Sequence, residues 1–507
     1  MNAHDMMQDY ERRRADALAM GSAAKQDKRR EAGLLDARAR LDLLFDADSF
    51  AEVGLFAYSG GDSRKTPADG KIAGFGRIDG REAAAMSNDF TVMGASSTMV
   101  NGRKIGHMKR VAAQRGLPLV FLGESSGARI PETMGAAGMG ASGSDPTQYM
   151  RLRETPWAAA ILGPCYGSSS WYTCLSDFKV MRKGALLSVS SSQLVQQATG
   201  AQVEPEALGG WALHSQTTGL VDQVVETDEE AIAAIRRFLS YLPSHSGEAP
   251  PVQAVPAGSG DEMAGIFGLL PASRTQVYDM KKLIRAVVDR DSFFELKPTF
   301  GKTGITALAR IGGRSVGVIA SNPLHRGGAL DIPACRKIAS FIVLCDSFNV
   351  PLVNFADVPG FAIGLEAEQM GAPARIMNYM TALQMATVPK LTVIVRKLYG
   401  QAYLNMGGGR NSDEIAIWPT AEIGFMAPAA GVKVVHGLSP ADAGFDDRVA
   451  ELERETSPWV MAGNFQVQQV IRPQDTRDWL LRMLQVHVSR GSAGVGRRLM
   501  QSWPCYL

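Results

Sequence analysis

One register runs through most of this chain. Arg77-Ile78-Asp79-Gly80-Arg81 returns 233 positions later as Arg310-Ile311-Gly312-Gly313-Arg314. The same offset carries Arg103-Lys104-Ile105 onto Arg336-Lys337-Ile338, Pro118-Leu119-Val120 onto Pro351-Leu352-Val353, Gly127 onto Gly360, and Tyr166-Gly167 onto Tyr399-Gly400. Upstream, Asp48-Ser49-Phe50 answers Asp291-Ser292-Phe293 at an offset of 243, which fits one insertion of about ten residues in the first half. An ordered repeat of this kind restricts the fold to two copies of one plan. The length agrees, because 507 residues exceed what a single hydrophobic core supports. Between the copies, 244–262 is rich in Pro, Gly and Ser and has no apolar period, so it reads as a linker. The expected domains are 1–243 and 263–507.

Each copy alternates amphipathic stretches with short apolar runs, which predicts α/β architecture. Residues 117–123, 158–163, 350–356 and 391–396 are continuously apolar, as parallel strands covered on both faces are. Helices are expected over 101–115 and 333–348, where apolar positions recur every three to four residues. The charged N-terminal stretch, where acidic and basic residues interleave, predicts a solvated helix that braces a subunit.

Composition excludes several functions. A net charge of +2 is no general nucleic-acid or membrane surface. The five cysteines, Cys165, Cys174, Cys335, Cys345 and Cys505, form no C-x-x-C pair and no zinc-ligand spacing, and read as free thiols; no metal is expected. The N-terminus is charged where a signal peptide needs an apolar core, so a cytoplasmic protein is expected.

In each half two strands run into glycine and small residues before a helix. These turns are Ser125-Ser126-Gly127-Ala128-Arg129 and Gly163 to Ser169 in the first half, Asp357 to Phe361 and Arg396 to Ala402 in the second. Such turns aim backbone N–H groups into a cavity, and amides so placed stabilise an oxyanion. The seven histidines are scattered, and no Ser/His/Asp arrangement is offered.

The runs 88–96 (NDFTVMGAS), 125–132 (SSGARIPE), 163–167 (GPCYG), 208–214 (LGGWALH), 356–364 (ADVPGFAIG), 386–403 (ATVPKLTVIVRKLYGQAY) and 418–426 (WPTAEIGFM) resemble the carboxyltransferase β subunits of biotin-dependent acyl-CoA carboxylases, propionyl-CoA carboxylase among them. The resemblance covers residue 40 onward. It implies two tandem crotonase-like domains from the internal duplication, and a homo-hexamer whose sites form between the first domain of one subunit and the second of another. The first domain would bind acyl-CoA and the second biotin carried on a separate α subunit, where ATP and Mg2+ would also act. The implied reaction moves CO2 from carboxybiotin to the α-carbon of an acyl-CoA through an enolate. By the family pattern the amides of Gly167 and Ser168 face the thioester oxygen, and those of Gln401 and Ala402 the ureido carbonyl. Gly127, Ala128, Tyr166, Ser169, Gly360, Phe361, Gly400 and Leu404 would line the substrate sites. Arg129 would meet CoA phosphates, with Arg103, Lys104 and Lys109 as further candidates.

The chain departs from the pattern in reading Gly167-Ser168-Ser169 and Gly400-Gln401-Ala402 where the family has G-G-A. Both keep their peptide N–H groups, but hydroxyls beside the acyl group favour a polar substituent, and a Gln side chain adds bulk beside the biotin slot. Leu404 stands where propionyl-type enzymes carry Asp. Trp171 reads as core packing with pocket shaping as the alternative, and Asp222 stands where the family often has His. Alternative functions are a biotin-dependent decarboxylase subunit, a non-catalytic acyl-CoA and biotin-carrier scaffold, and a biotin-free crotonase.

Overall fold

A computed structural model describes residues 2–61, 63–142, 145–488 and 492–504; Cys505 lies outside them. The chain divides into two compact units, the first ending at Gly247 and the second starting at Glu248.

The first unit is built on an eight-stranded sheet: β1 (Ala51–Val53), β2 (Lys71–Ile78), β3 (Arg81–Asn88), β4 (Leu119–Ser125), β5 (Trp157–Tyr166), β6 (Phe178–Arg182), β7 (Leu186–Ser188) and β8 (Gln223–Val225). Their spatial order is β1-β2-β3-β4-β5-β6-β8, with β7 on β5. The second unit holds β9 (Phe294–Leu296), β10 (Gly304–Ile311), β11 (Arg314–Ser321), β12 (Leu352–Val358), β13 (Lys390–Tyr399), β14 (Glu414–Ile417), β15 (Glu422–Gly424) and β16 (Gln469–Val470). Read from the other edge, its order is the same, and β15 sits on β13 as β7 sits on β5. From β3 to β8, and from β11 to β16, every pairing is parallel; the two leading pairs in each sheet are antiparallel.

The repeat survives residue by residue. Ile78 pairs with Arg81 as Ile311 pairs with Arg314, and Lys71 with Asn88 as Gly304 with Ser321. Ala51 opposite Phe75 and Phe294 opposite Leu308 confirm the second offset. The insertion therefore falls between β1 and β2, where 54–70 replaces the shorter 297–303.

Helices form over Met99–Arg115 and Ile332–Ser347, as their period predicts. Thr98 and Asp331 cap their N-termini, and Gly116, at φ 70°, ends the first. Strands β12 and β13 are almost wholly buried; Val353, Phe355, Leu391, Val393 and Val395 pack under Trp418 and Trp479. The segment read as a linker has no helix or strand before Asp261, and beyond Glu248 it is tied to the second unit. Gln253 N–H donates to the Gly313 carbonyl at 2.9 Å, and Asn349 Nδ2 to the Glu248 carbonyl at 2.7 Å.

The N-terminal stretch is three helices, Ala3–Leu18, Ala23–Glu31 and Ala37–Leu44. The first is a largely exposed helix, as expected. The third is not solvated: Arg40, Leu41 and Leu44 are buried. Trp171 is likewise no core residue, being 39% exposed.

Candidate active site

The turns singled out in the sequence lie at the C-terminal ends of the central strands, where open parallel sheets place their ligands. In both units the fourth and fifth strands of the sheet lose register near that end. Gly123 is level with Ile161 and Ser125 with Cys165, so Leu162, Gly163 and Pro164 bulge against Glu124 alone. In the second unit Val395, Arg396 and Lys397 bulge against Asp357. The bulge re-aims β5 and β13 just before Tyr166-Gly167 and Tyr399-Gly400.

Gly167 then adopts φ 60° and ψ −129°, a region a side chain disfavours, and the helix Ser168–Leu175 starts at once. Gly400 repeats this at φ 61° before the single helical turn Ala402–Asn405. First-turn amides have no acceptor within their own helix. The Gly400 amide is spent on the Gly424 carbonyl at 2.9 Å, which leaves Gln401 and Ala402 as the first-turn amides of that turn without a backbone acceptor. By the common offset, their counterparts are Ser168 and Ser169.

The companion turn lies alongside. A Cβ placed on Gly167 would come within 3.5 Å of Gly127 Cα, and one on Gly127 within 3.8 Å of Tyr166 Cβ. Ser97 bridges this turn, its N–H donating to the Gly127 carbonyl at 2.8 Å while its carbonyl accepts from Arg129 N–H at 3.0 Å. Leu330 does the same for Gly360 and Ala362, at 3.1 and 2.8 Å. Ala128 and Phe361 are the bridge partners of Ser97 and Leu330. A Cβ on Gly360 would meet nothing within 4 Å, so the space beside the second turn is open.

Side chains separate the two turns. Ser97 Oγ and Ser168 Oγ are 2.5 Å apart, and Cys165 Sγ lies 3.1 Å from Ser169 Oγ. Beneath Ser168 and Ser169 a small cavity of about 20 Å3 is closed by Lys71, Asn88, Phe121 and Tyr172. Burial pushes the Lys71 amine down to about 8. Gln401 is exposed, its Nε2 3.5 Å from Asn405 Oδ1, and Leu404 is half-buried. A cavity of about 160 Å3 in the second unit lies at the opposite strand ends, between Pro351, Thr387 and His487, and touches none of these residues.

The basic candidates face elsewhere. The Arg129 guanidinium is buried and spent on Asp69 Oδ1 at 2.8 Å, Ser96 Oγ at 3.0 Å and Ser59 Oγ, so it fastens the 54–70 insertion instead of reaching a phosphate. Lys104 Nζ donates to the carbonyls of Gly54, Ala68 and Lys71. Its counterpart Lys337 donates to those of Lys297 and Phe300, so the repeated Arg-Lys-Ile is a loop anchor. Lys109 is buried against the Thr147 and Gln148 carbonyls. Arg103 alone of the set is exposed. Asp222 accepts from Lys179 N–H at 2.7 Å, and His214 Nε2 lies 2.6 Å from the Leu187 carbonyl, both inside the fold. Ser97 and Glu124 fall outside the turns read from the sequence, and Asp357 opens one of them without a role of its own; the offset that aligns 124 with 357 was the available signal for Glu124 and Asp357.

Two tandem sheets of one topology, each ending in a glycine turn that offers backbone donors, define a double crotonase-like fold suited to stabilising carbonyl-derived anions. The chain belongs to the carboxyl transferase domain family, which matches residues 28–495. It is 35% identical to the methylmalonyl-CoA decarboxylase subunit alpha of Veillonella parvula over 485 residues, covering 94% of each chain. It is 34% identical to the propionyl-CoA carboxylase beta chain of Roseobacter denitrificans, covering 94% of this chain and 95% of that one. The solved structure of transcarboxylase 12S, a hexamer with methylmalonyl-coenzyme A and methylmalonic acid bound, matches with a TM-score of 0.89 at 33% identity over 96% of both chains.

Proposed function

We propose that this acyl-CoA carboxyltransferase subunit moves a carboxyl group between a biotin held by a separate carrier subunit and the α-carbon of an acyl-CoA. The single observation that supports it is the matched pair of glycine turns at Gly167 and Gly400, each opening a first helical turn whose amides lack an intrahelical acceptor. Two such turns suit two carbonyl groups.

In the first unit the amides at Gly167 and Ser168, with Ser169 next in line, receive the thioester oxygen as negative charge builds on it during enolate formation. Gly127, Ala128 and Tyr166 flank the acyl-CoA, and Arg129 holds that turn from behind. In the second unit Gln401 and Ala402 present two donors, matching the two lone pairs of a ureido oxygen. Gly360, Phe361 and Gly400 leave room for a bicyclic ring, and Leu404 borders the acyl end. The residues thus fit biotin. When bound, carboxylated biotin supplies the carboxyl group and, after losing CO2, the base for the α-proton. This chain's part is to orient both carbonyls and exclude water, which requires no side-chain base.

The proposal includes a hexamer of this chain, with sites completed between subunits, a biotin carboxylase partner that uses ATP and Mg2+, and a cytoplasmic location. Among the described residues no helix is long and apolar enough to cross a membrane. A second reading, a biotin-dependent decarboxylase subunit, is favoured by the name of the Veillonella parvula relative.

Co-expression with the carrier subunit, then labelled bicarbonate, ATP and a panel of acyl-CoAs, tests the reading. Label should enter one class of thioester; label in none, with a biotinylated partner present, contradicts it.

A further inference from the structure

The bulges before the two turns are alike in backbone and different in what satisfies them. Opening a strand into a bulge frees backbone N–H groups from the ladder, and a freed N–H inside the protein needs an acceptor. In the second unit Lys397 N–H donates to Asp357 Oδ1 at 3.0 Å. Arg396, inside the same bulge, donates from Nε to Asp357 Oδ2 at 3.0 Å and from Nη1 to the Gln276 carbonyl at 3.1 Å. Ser321 closes the ring by donating its hydroxyl to the Asp357 carbonyl at 2.9 Å.

The first unit carries Glu124 at the corresponding place, and Asn88, the counterpart of Ser321, donates to its carbonyl at 2.6 Å. Here the residue answering Lys397 is Pro164, which has no N–H, and the residue answering Arg396 is Gly163. A Cβ on Gly163 would sit 3.0 Å from the Glu124 carboxyl carbon. The space is needed by the longer carboxylate, which reaches past the strand to Arg29 at 2.7 Å and to Arg40 from the N-terminal helices. Arg40 also holds Asp228 at 2.8 Å. Glu124 and Asp357 are both almost fully buried.

We infer that Glu124 and Asp357 are positioning residues, each carboxylate fixing the bulge that aims the oxyanion turn of its own unit. Asp357 does so through the bulge's own backbone and Arg396, whereas Glu124 does so through a chain of ion pairs: Arg40 from the N-terminal helices joins it to Asp228, Asp228 holds Arg182 at 3.0 Å, and Arg182 donates to the Leu162 carbonyl in the bulge at 2.8 Å. This rests on the assignment of the first turn to the acyl-CoA and the second to biotin. A core ion pair without that role would affect both substrates alike.

The test uses the full chain as Glu124→Gln and Asp357→Asn, with free biotin and an accepted acyl-CoA as variable substrates and hydrogen–deuterium exchange of both turns. Asp357→Asn should raise the KM for biotin about tenfold, the loss expected for one charge-assisted hydrogen bond, and speed exchange over 397–402 alone. Glu124→Gln should raise the KM for acyl-CoA and speed exchange over 163–169 alone. Should Asp357→Asn fail to fold, Asp357→Glu keeps the charge, displaces it by one methylene, and carries the same expectation. Equal changes in both constants, or unaltered exchange at the turns, overturn the inference. A wild-type chain inactive on both substrates contradicts the function instead, and the exchange pattern still decides the positioning role.

Discussion

The first unit's turn is furnished with hydroxyls and braced by long-range arginines, while the second unit's turn is furnished with an exposed amide side chain and braced by its own strand. Ser97, Ser168 and Ser169 stand in one where Leu330, Gln401 and Ala402 stand in the other. The backbone is nevertheless the same, down to the bridge residues and the φ near 60° at each glycine. Under the proposed function, main-chain donors serve any carbonyl, which leaves the side chains free to fit two different ligands. The insertion at 54–70 sharpens the contrast, since its buried Asp69 pairs with Arg129 where the second unit carries Lys302 and Ala362.

The comparison can be broken most forcefully at Arg40. Arg40→Leu removes the cation shared by two buried carboxylates and leaves Glu124 to Arg29 and Asp228 to Arg182, so denaturant unfolding should show a loss of about 3 kcal/mol in the first unit. A neutral result would mean that the arginines do not brace that turn. Next in size are Gly167→Ala and Gly400→Ala, each forcing a side chain into positive φ at about 1–3 kcal/mol. The two should slow carboxyl transfer similarly, and a large disparity would show that the turns are not equivalent.

Acid should act on the first unit through Glu124. Burial alone would raise its carboxyl, but Arg40 and Arg29 hold it below the ordinary 4.5. The unfolded chain therefore takes up the proton first. The stability contributed is full above 4.5 and is lost as pH falls through the lower folded value. Urea midpoints measured below 4.5 should fall less steeply for Glu124→Gln than for the wild type. Smallest is Ser97→Ala, which removes one partner of Ser168 at about 0.5–1.5 kcal/mol. Its acyl-CoA preference should move toward apolar chains while the KM for biotin stays put.

Much of this was legible in the sequence, for identifiable reasons. A duplication keeps its register in a packed sheet, because a one-residue slip would move every side chain to the opposite face and undo the packing on both. The offset therefore located both sheets, both turns and the insertion. What escaped were partners set by distant chain segments. Arg29 and Arg40 sit in a charged stretch that looks solvated, and only the fold brings them 95 and 84 positions along the chain to Glu124. Lys104 and Arg129 looked like phosphate ligands because their carbonyl and carboxylate acceptors lie in a loop without a pattern of its own. Trp171 looked like core because aromatic residues usually are.

The most direct measurement removes one amide from each turn without breaking the helical start, since proline is tolerated at a first helical position and Gln401 already has φ −59°. Transfer of labelled carboxyl between an acyl-CoA and free biotin should drop about 10²–10³-fold in Ser168→Pro and again in Gln401→Pro, with unchanged circular dichroism. Wild-type rates in either variant would contradict the claim that both turns supply main-chain donors to the reaction.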